Sequence, residues 1–183
     1  MSVPRLADLD DLVGHLRALG QHDSDEGPSF TELDHGLQCA ALLGEQHPDD
    51  LELIVAGLVH DIAHPWDGPG QPRHAALGAA AIRPLLSERV AALVAGHVAA
   101  KRYLVAVDPH YRAALTPGSL VTLAAQGEAF SDVDARAFAV QPHADALVAL
   151  RRADDRAKVA GAVVPDLDHW LPTIAAVHEL RTG

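Results

Sequence analysis

The chain is 183 residues long, enough for one ordinary domain with a buried core and short of a second. Its 25 acidic and 14 basic side chains leave a formal net charge of −11, a field that repels nucleic acid and anionic membrane, so an anionic ligand must be met by a local cluster of cations. The lone Cys39 excludes an internal disulfide, no uninterrupted apolar run approaches the ~18 residues of a membrane span, and "MSVPRLADLDDLVGHL" lacks the layout of a secretory signal, so the expectation is a cytoplasmic protein with no membrane and no nucleic-acid partner.

In chain order, Leu6, Leu9, Leu12, Val13, Leu16 and Leu19 recur every three or four positions and predict an amphipathic helix over 6–20, stopped by Gly20. The polar stretch "QHDSDEGPS" leads into "SFTE", where Ser29 and Glu32 have capping-box spacing for a helix running to about Gln46, with His35 in its first turns. Asp49 and Glu52 repeat that spacing before "LELIVAGLVHDIA", a segment apolar on all sides and therefore the expected buried central helix. "WDGPGQPR" reads as a loop. Alanine-rich "HAALGAAAI" forms the next helix, ended by Pro84, and Ser87 caps "ERVAALVAGHVAAKRYL". Pro109 and Pro117 follow the N-cap residues Asp108 and Thr116 and open short helices. Ser131 with Asp134, then Pro142, open two more, the second carrying "HADALVALRRADDRAKV", and "PDLDHWLPTIAAVHELR" closes the chain. Nothing alternates over any length like a strand, and there is no repeat, linker or low-complexity tract. The expected architecture is all-α: one compact helical bundle over 1–183, with the N-terminal helix 6–20 and a C-terminal helix 166–181 packing on its core.

Twelve histidines are the compositional oddity. His60 and Asp61 are adjacent at the end of the most apolar helix, where an unpaired carboxylate is costly to bury and needs cations. Imidazole nitrogen and carboxylate oxygen together suit Fe, Mn, Zn or Ni. His35, His74, His97 and Asp154 sit on other predicted helices among small or apolar neighbours, as "LDHGLQCA", "RHAALGA", "VAGHVAA" and "RRADDRAK", and bundles do build metal sites from facing helices. Four histidines and two aspartates exceed what one metal with an open position takes; they suit two metals bridged by a carboxylate.

The order His35, His60-Asp61, His74, His97, Asp154, followed through "HVAAKRYLVAVDP", "TPGS", "LAAQG" and "LRRADDRAKV", resembles the organophosphonate-cleaving branch of the HD-domain mixed-valent diiron oxygenases, over roughly residues 30–170. The resemblance implies a helical HD-domain bundle, two Fe ions in an Fe(II)/Fe(III) pair, and O2 as co-substrate. It implies that His35, His60, Asp61 and Asp154 hold one iron and His74 and His97 the other, with Asp61 bridging. It places His64, Lys101, Ser119, Gln126 and Arg151 against the substrate and puts Asp61 and Lys101 at the chemistry; Lys158 matches a motif position without an assigned role. The implied reaction cleaves the C–P bond of a 1-hydroxy-2-(amino or methylated ammonio)ethylphosphonate, giving a carboxylic acid of the glycine or glycine betaine type and inorganic phosphate. Glycine-forming relatives carry a tyrosine and a glutamate upstream of the first histidine. "HDSDEGPSF" has no tyrosine, and of Asp23, Asp25 and Glu26 the last is taken as the acid meeting the amine.

Spacing agrees. Lys101 follows His97 by four residues and Arg151 precedes Asp154 by three, so on helices each cation shares a face with a proposed ligand. A phosphonate dianion would take bidentate contacts from Arg151 and a point charge from Lys101, and Ser119, near a helix start, could add its hydroxyl and backbone N–H. Arg102 and Arg152 are assigned to solvated surface, Phe30 and Trp66 to packing, and Cys39 to the core. His15, His22, His47, His110, His143, His169 and His178 are assigned to surface or capping roles. The rival reading is a metal-dependent HD phosphohydrolase acting on a phosphate ester or nucleotide, for which the same ligands would activate a water. A third reading, a sensor or scaffold with a structural metal, predicts no turnover at all.

Overall fold

The computed structural model describes residues 6–24, 27–67 and 73–181. Among them are ten α-helices: α1 (Leu9–Leu19), α2 (Glu32–Gln46), α3 (Leu51–Val59), α4 (His74–Ile82), α5 (Glu88–Val107), α6 (Tyr111–Ala114), α7 (Pro117–Ala125), α8 (Asp132–Ala139), α9 (Ala144–Arg156) and α10 (Leu167–Leu180). The fold is an all-α bundle, as the periodicity predicts. The exception is a short antiparallel pair, β1 (Asp23–Ser24) with β2 (Gly27–Thr31), inside the stretch read as polar turn; it is too short to alternate visibly in sequence.

Caps explain where the helices begin, and four of them correct the sequence reading. Thr31, not Ser29, caps α2, in a capping box with Asp34 rather than Glu32, because strand β2 carries the chain through Ser29. Asp50, not Asp49, caps α3 through Leu53 N–H. Helix α6 starts two residues after Pro109, and α9 starts after His143 in a left-handed conformation rather than at Pro142. Ser87, Thr116 and Ser131 cap α5, α7 and α8 as their spacing predicts.

Helix α3 is buried on nearly every face and packs against α2, α5, α9 and α10. Two glycines permit the close approach of α2 and α3: a Cβ on Gly36 would lie 2.5 Å from the carbonyl oxygen of Leu58, and one on Gly57 would lie 2.5 Å from Leu43 Cδ1. Helix α5 is long and apolar enough to cross a membrane by length and composition alone, yet it packs against α3, α4, α8 and α9 and buries His97 and Lys101. Leu12, Leu16 and Leu19 of α1 and Leu167, Trp170, Ile174 and Val177 of α10 join the same core as α3. Cys39 is fully buried within it. Two histidines assigned to the surface instead tie elements together: His15 contacts the carbonyl oxygen of Ile62 at 2.8 Å, and His178 that of Leu85 at 2.5 Å.

Candidate functional site

Helix α3 ends at Val59, and the turn that follows carries His60 and Asp61 into the space between α2, α4, α5 and α9. A 3-10 turn, His64–Trp66, closes that segment. From α2 comes His35, from α4 its first residue His74, from α5 His97, and from the last turn of α9 Asp154. All four are buried, as is His60.

Their rings are oriented from behind. Nδ1 of His35 donates to the carbonyl oxygen of Ala157 at 2.7 Å, that of His60 to Gly57 at 2.8 Å and that of His97 to Val94 at 2.8 Å. A carbonyl only accepts, so each proton is fixed on Nδ1 and each Nε2 lone pair faces inward, the arrangement that outer partners impose on ligating histidines. Gln38 reinforces the first of these: its side-chain amide exchanges two hydrogen bonds with the backbone of Val159, pinning the segment after α9 to α2.

Asp61 stands between two groups. Its Oδ2 is 3.2 Å from His60 Nε2 and 3.6 Å from His35 Nε2; its Oδ1 is 3.4 Å from His97 Nε2 and 3.6 Å from His74 Nε2. Asp154 completes the first group, with Oδ1 at 3.3 Å from His35 and Oδ2 at 3.6 Å from His60. The Nε2 atoms of His74 and His97 lie 3.2 Å apart, close enough for both to reach one ion. Inside this cluster His60 Nε2 and Asp61 Oδ1 are buried without a hydrogen-bond partner among the described residues. Orphaned acceptors at such a convergence are what a cation satisfies, and the triads His35, His60, Asp61 and Asp61, His74, His97 could each hold a metal ion, sharing one carboxylate.

Charge follows the same division. Burial raises the Asp61 carboxyl and the charge of His60 more than offsets it, leaving its pKa well below the usual range. For Asp154, burial is likewise overcome, chiefly by the Arg151 guanidinium. Burial lowers the pKa of His60, but the charge and hydrogen bond of Asp61 lift it to about 9; burial takes that of His74 down to about 3. A metal in the first group therefore competes with a proton on His60, and one in the second meets a neutral His74.

Beside the cluster is a cavity of about 60 Å³ lined by the side chains expected for substrate, with additions. Lys101 Nζ donates to Thr122 Oγ1 at 2.7 Å and to Gln126 Oε1 at 3.2 Å, and burial with the neighbouring Arg151 lowers its pKa to about 8. Ser119 Oγ accepts from Lys158 Nζ at 2.8 Å, while the Ser119 N–H goes to the Thr116 cap, leaving the hydroxyl alone to face the cavity. The terminal nitrogens of Arg151 donate to Asp154, at 2.6 Å, and to Asp155; Nε has no partner among the described residues. Asp155 in turn accepts from Tyr111 at 2.5 Å, a brace that sequence reasoning missed although Arg151 and Asp155 are one helical turn apart. Thr122, three residues after Ser119, was legible by the same spacing. His64 lines the cavity and donates from Nδ1 to Glu32 Oε1 at 2.8 Å.

The upstream acids divide differently. Asp23 is exposed and does not line the cavity, although the adjacent Ser24 does, and Asp25 and Glu26 lie outside the described residues. Glu32, read in sequence only as a capping acid, is buried on the cavity wall. Phe30 packs edge-on against His35, Trp66 packs with a tilted ring against His15, and neither lines the cavity. Arg102 lies over Phe130 and bonds the backbone of Gly127 and Glu128, and Arg152 faces Asp108.

Comparison with known proteins places these residues in a wider set. Residues 33–125 match the model of the HD domain family. The hydroxymethylphosphonate dioxygenase of Gimesia maris is 34% identical over 166 residues, covering 82% of this chain and 78% of that one. The glycine-betaine-forming [1-hydroxy-2-(trimethylamino)ethyl]phosphonate dioxygenase of Leisingera caerulea is 29% identical over 196 residues, covering the full length of both.

Proposed function

Because the chain belongs to the HD-domain phosphonate dioxygenase family, we propose that it binds two iron ions and uses O2 to break the C–P bond of a small 1-hydroxyphosphonate, yielding a carboxylic acid and inorganic phosphate. The observation that carries this reading is Asp61 facing one histidine group with each oxygen, beside a cavity walled by Lys101, Arg151 and Lys158. His35, His60, Asp61 and Asp154 would hold one ion, and Asp61, His74 and His97 the other. The bound pair supplies O2 activation and a Lewis-acidic seat for the substrate's hydroxyl.

The remaining work belongs to the protein's own groups. Lys101 and Lys158 bring positive charge to the phosphonate, and Ser119, Thr122 and Gln126 fix their ammonium groups and supply further polar contacts. Arg151 offers its Nε while its terminal nitrogens hold Asp154 in place. A cationic seat orients the C1–H bond and stabilises the charge that gathers on phosphorus as the C–P bond breaks. Burial of His35, His60, His74 and His97 limits bulk water on the metal side of the site. The substrate class is a 1-hydroxyphosphonate with a small C1 substituent, spanning hydroxymethylphosphonate and the 2-amino- or methylated 2-ammonio-1-hydroxyethyl compounds.

The test is phosphate release from these compounds by iron-loaded protein, with and without O2. Release that requires O2, with one O2 consumed per phosphate, is the expected result. Oxygen-independent hydrolysis of a phosphate ester, with no phosphonate turned over, would overturn the proposal in favour of a phosphohydrolase.

A further inference from the structure

Gln38 is a buried amide on α2, one turn after His35 and on the same face of the helix. Both residues reach across to the segment that follows α9. Ala157 still bonds Ala153 through its N–H, but beyond it the chain lies in neither helix nor strand, so its course depends on what grips it from outside. His35 Nδ1 donates to the carbonyl oxygen of Ala157 at 2.7 Å. Gln38 takes both backbone groups of Val159, donating from Nε2 to its carbonyl oxygen at 2.9 Å and accepting its N–H on Oε1 at 3.1 Å. A carboxamide suits this task because it presents a donor and an acceptor side by side, as the backbone of a neighbouring strand does. Between the two grips is Lys158, whose Nζ donates to Ser119 Oγ on the cavity wall at 2.8 Å and lies 4.0 Å from Asp154 Oδ1.

We propose that Gln38 is a positioning residue for both halves of the site. By fixing Val159 it sets the Ala157 carbonyl that orients His35 in the first metal group, and it sets the Lys158 backbone so that the ammonium reaches the anion seat. One amide, touching neither metal nor substrate, thereby couples the two. The Lys158 half rests on the phosphonate reading above.

Gln38→Met keeps the length and bulk of the side chain and removes both bonds; Val159 is 57% exposed, so water can take its freed backbone groups and the variant should fold. Gln38→Glu keeps the acceptor and, ionised, loses the donor, and should act in the same direction. In stepwise iron titration without O2, each variant should weaken one step roughly 3- to 10-fold, the step that Asp154→Asn also weakens, and leave the other within about twofold. At iron saturation without O2, calorimetric titration with hydroxymethylphosphonate should show Gln38→Met losing roughly 3- to 10-fold in affinity when Lys158 is present and less than about twofold in a Lys158→Met background. A merely structural role would weaken both iron steps alike and would cost as much phosphonate affinity without Lys158 as with it; either result, or native behaviour in both Gln38 variants, would overturn the assignment. Failure of the native protein to bind hydroxymethylphosphonate at all would overturn the phosphonate reading and the Lys158 half with it.

Discussion

Replacing Gly36 by alanine reaches the candidate metal centre through packing alone. The added Cβ would lie 2.5 Å from the Leu58 carbonyl oxygen, against an ordinary contact of 3.4 Å or more, and a backbone atom cannot rotate away. Helices α2 and α3 must part by roughly 0.5–1 Å, an overpacking cost of ~1–3 kcal/mol that up to ~1 kcal/mol of gained helix propensity offsets only in part. A net loss of about 1–2 kcal/mol corresponds to a melting temperature lower by roughly 2–8 °C for a chain of this size. His35 adjoins Gly36 and His60 follows Leu58 by two residues, so the same displacement pulls their Nε2 atoms off the shared Asp61 oxygen, where they now lie at 3.6 and 3.2 Å. Iron affinity should fall about 10- to 100-fold, the scale of outer-partner mutations at metal sites. Gly14→Ala supplies the opposite sign: on α1 its Cβ meets nothing within 4 Å, so helix propensity alone should stabilise by ~0.5–1 kcal/mol. Calorimetric melting of metal-free protein and iron titration measure both effects. A Gly36→Ala protein that melts like Gly14→Ala and binds iron as the native chain does would refute the reasoning.

The two aspartates should differ in metal stoichiometry. Asp61→Asn weakens both ions and should leave less than one iron per chain by elemental analysis, whereas Asp154→Asn touches only the first group and should leave about one. Lys101, with a pKa near 8, is charged below that pH and neutral above it; the KM for a phosphonate should rise as pH passes upward through about 8, and Lys101→Arg should flatten that limb of the profile. Tyr111→Phe leaves a lone pair of Asp155 unanswered and loosens Arg151, so the KM for a phosphonate should rise about 3- to 10-fold with kcat less affected. An unchanged KM would deny the brace any positioning role.

Much of this was legible in the sequence because helices impose a period. The starts of α5, α7 and α8 followed from Ser87, Thr116 and Ser131, and Lys101 fell beside His97, because four residues make about one turn. The convergence of His35, His60, Asp61, His74, His97 and Asp154 on one point is tertiary, and the residues declared it through their adjacency and their apolar surroundings. What stayed hidden depends on partners distant in the chain. Glu32 read as a cap because nothing local says that His64, thirty-two residues on, meets its carboxylate. Arg151 read as a free fork because Asp154 and Asp155 look like ordinary helix-surface acids until burial is known. His15 and His178 looked like surface residues because the carbonyls they seek, at Ile62 and Leu85, belong to other elements.

The inward-facing rings were held from behind by two kinds of bond, and the difference bears on how the chain assembles. His60 and His97 each bond a carbonyl three residues back, so their rings are set as soon as the local turn forms. His35 relies on Ala157, 122 residues away, and its geometry exists only once the end of α9 has docked. Joining partners that far apart costs on the order of 1.5 kcal/mol more loop-closure entropy than joining His74 to His97, 23 residues apart. An ion bound by His74 and His97 therefore ties a local hairpin, while one bound by His35 and Asp154 is a staple across the molecule, resisting the chain's unravelling from either end.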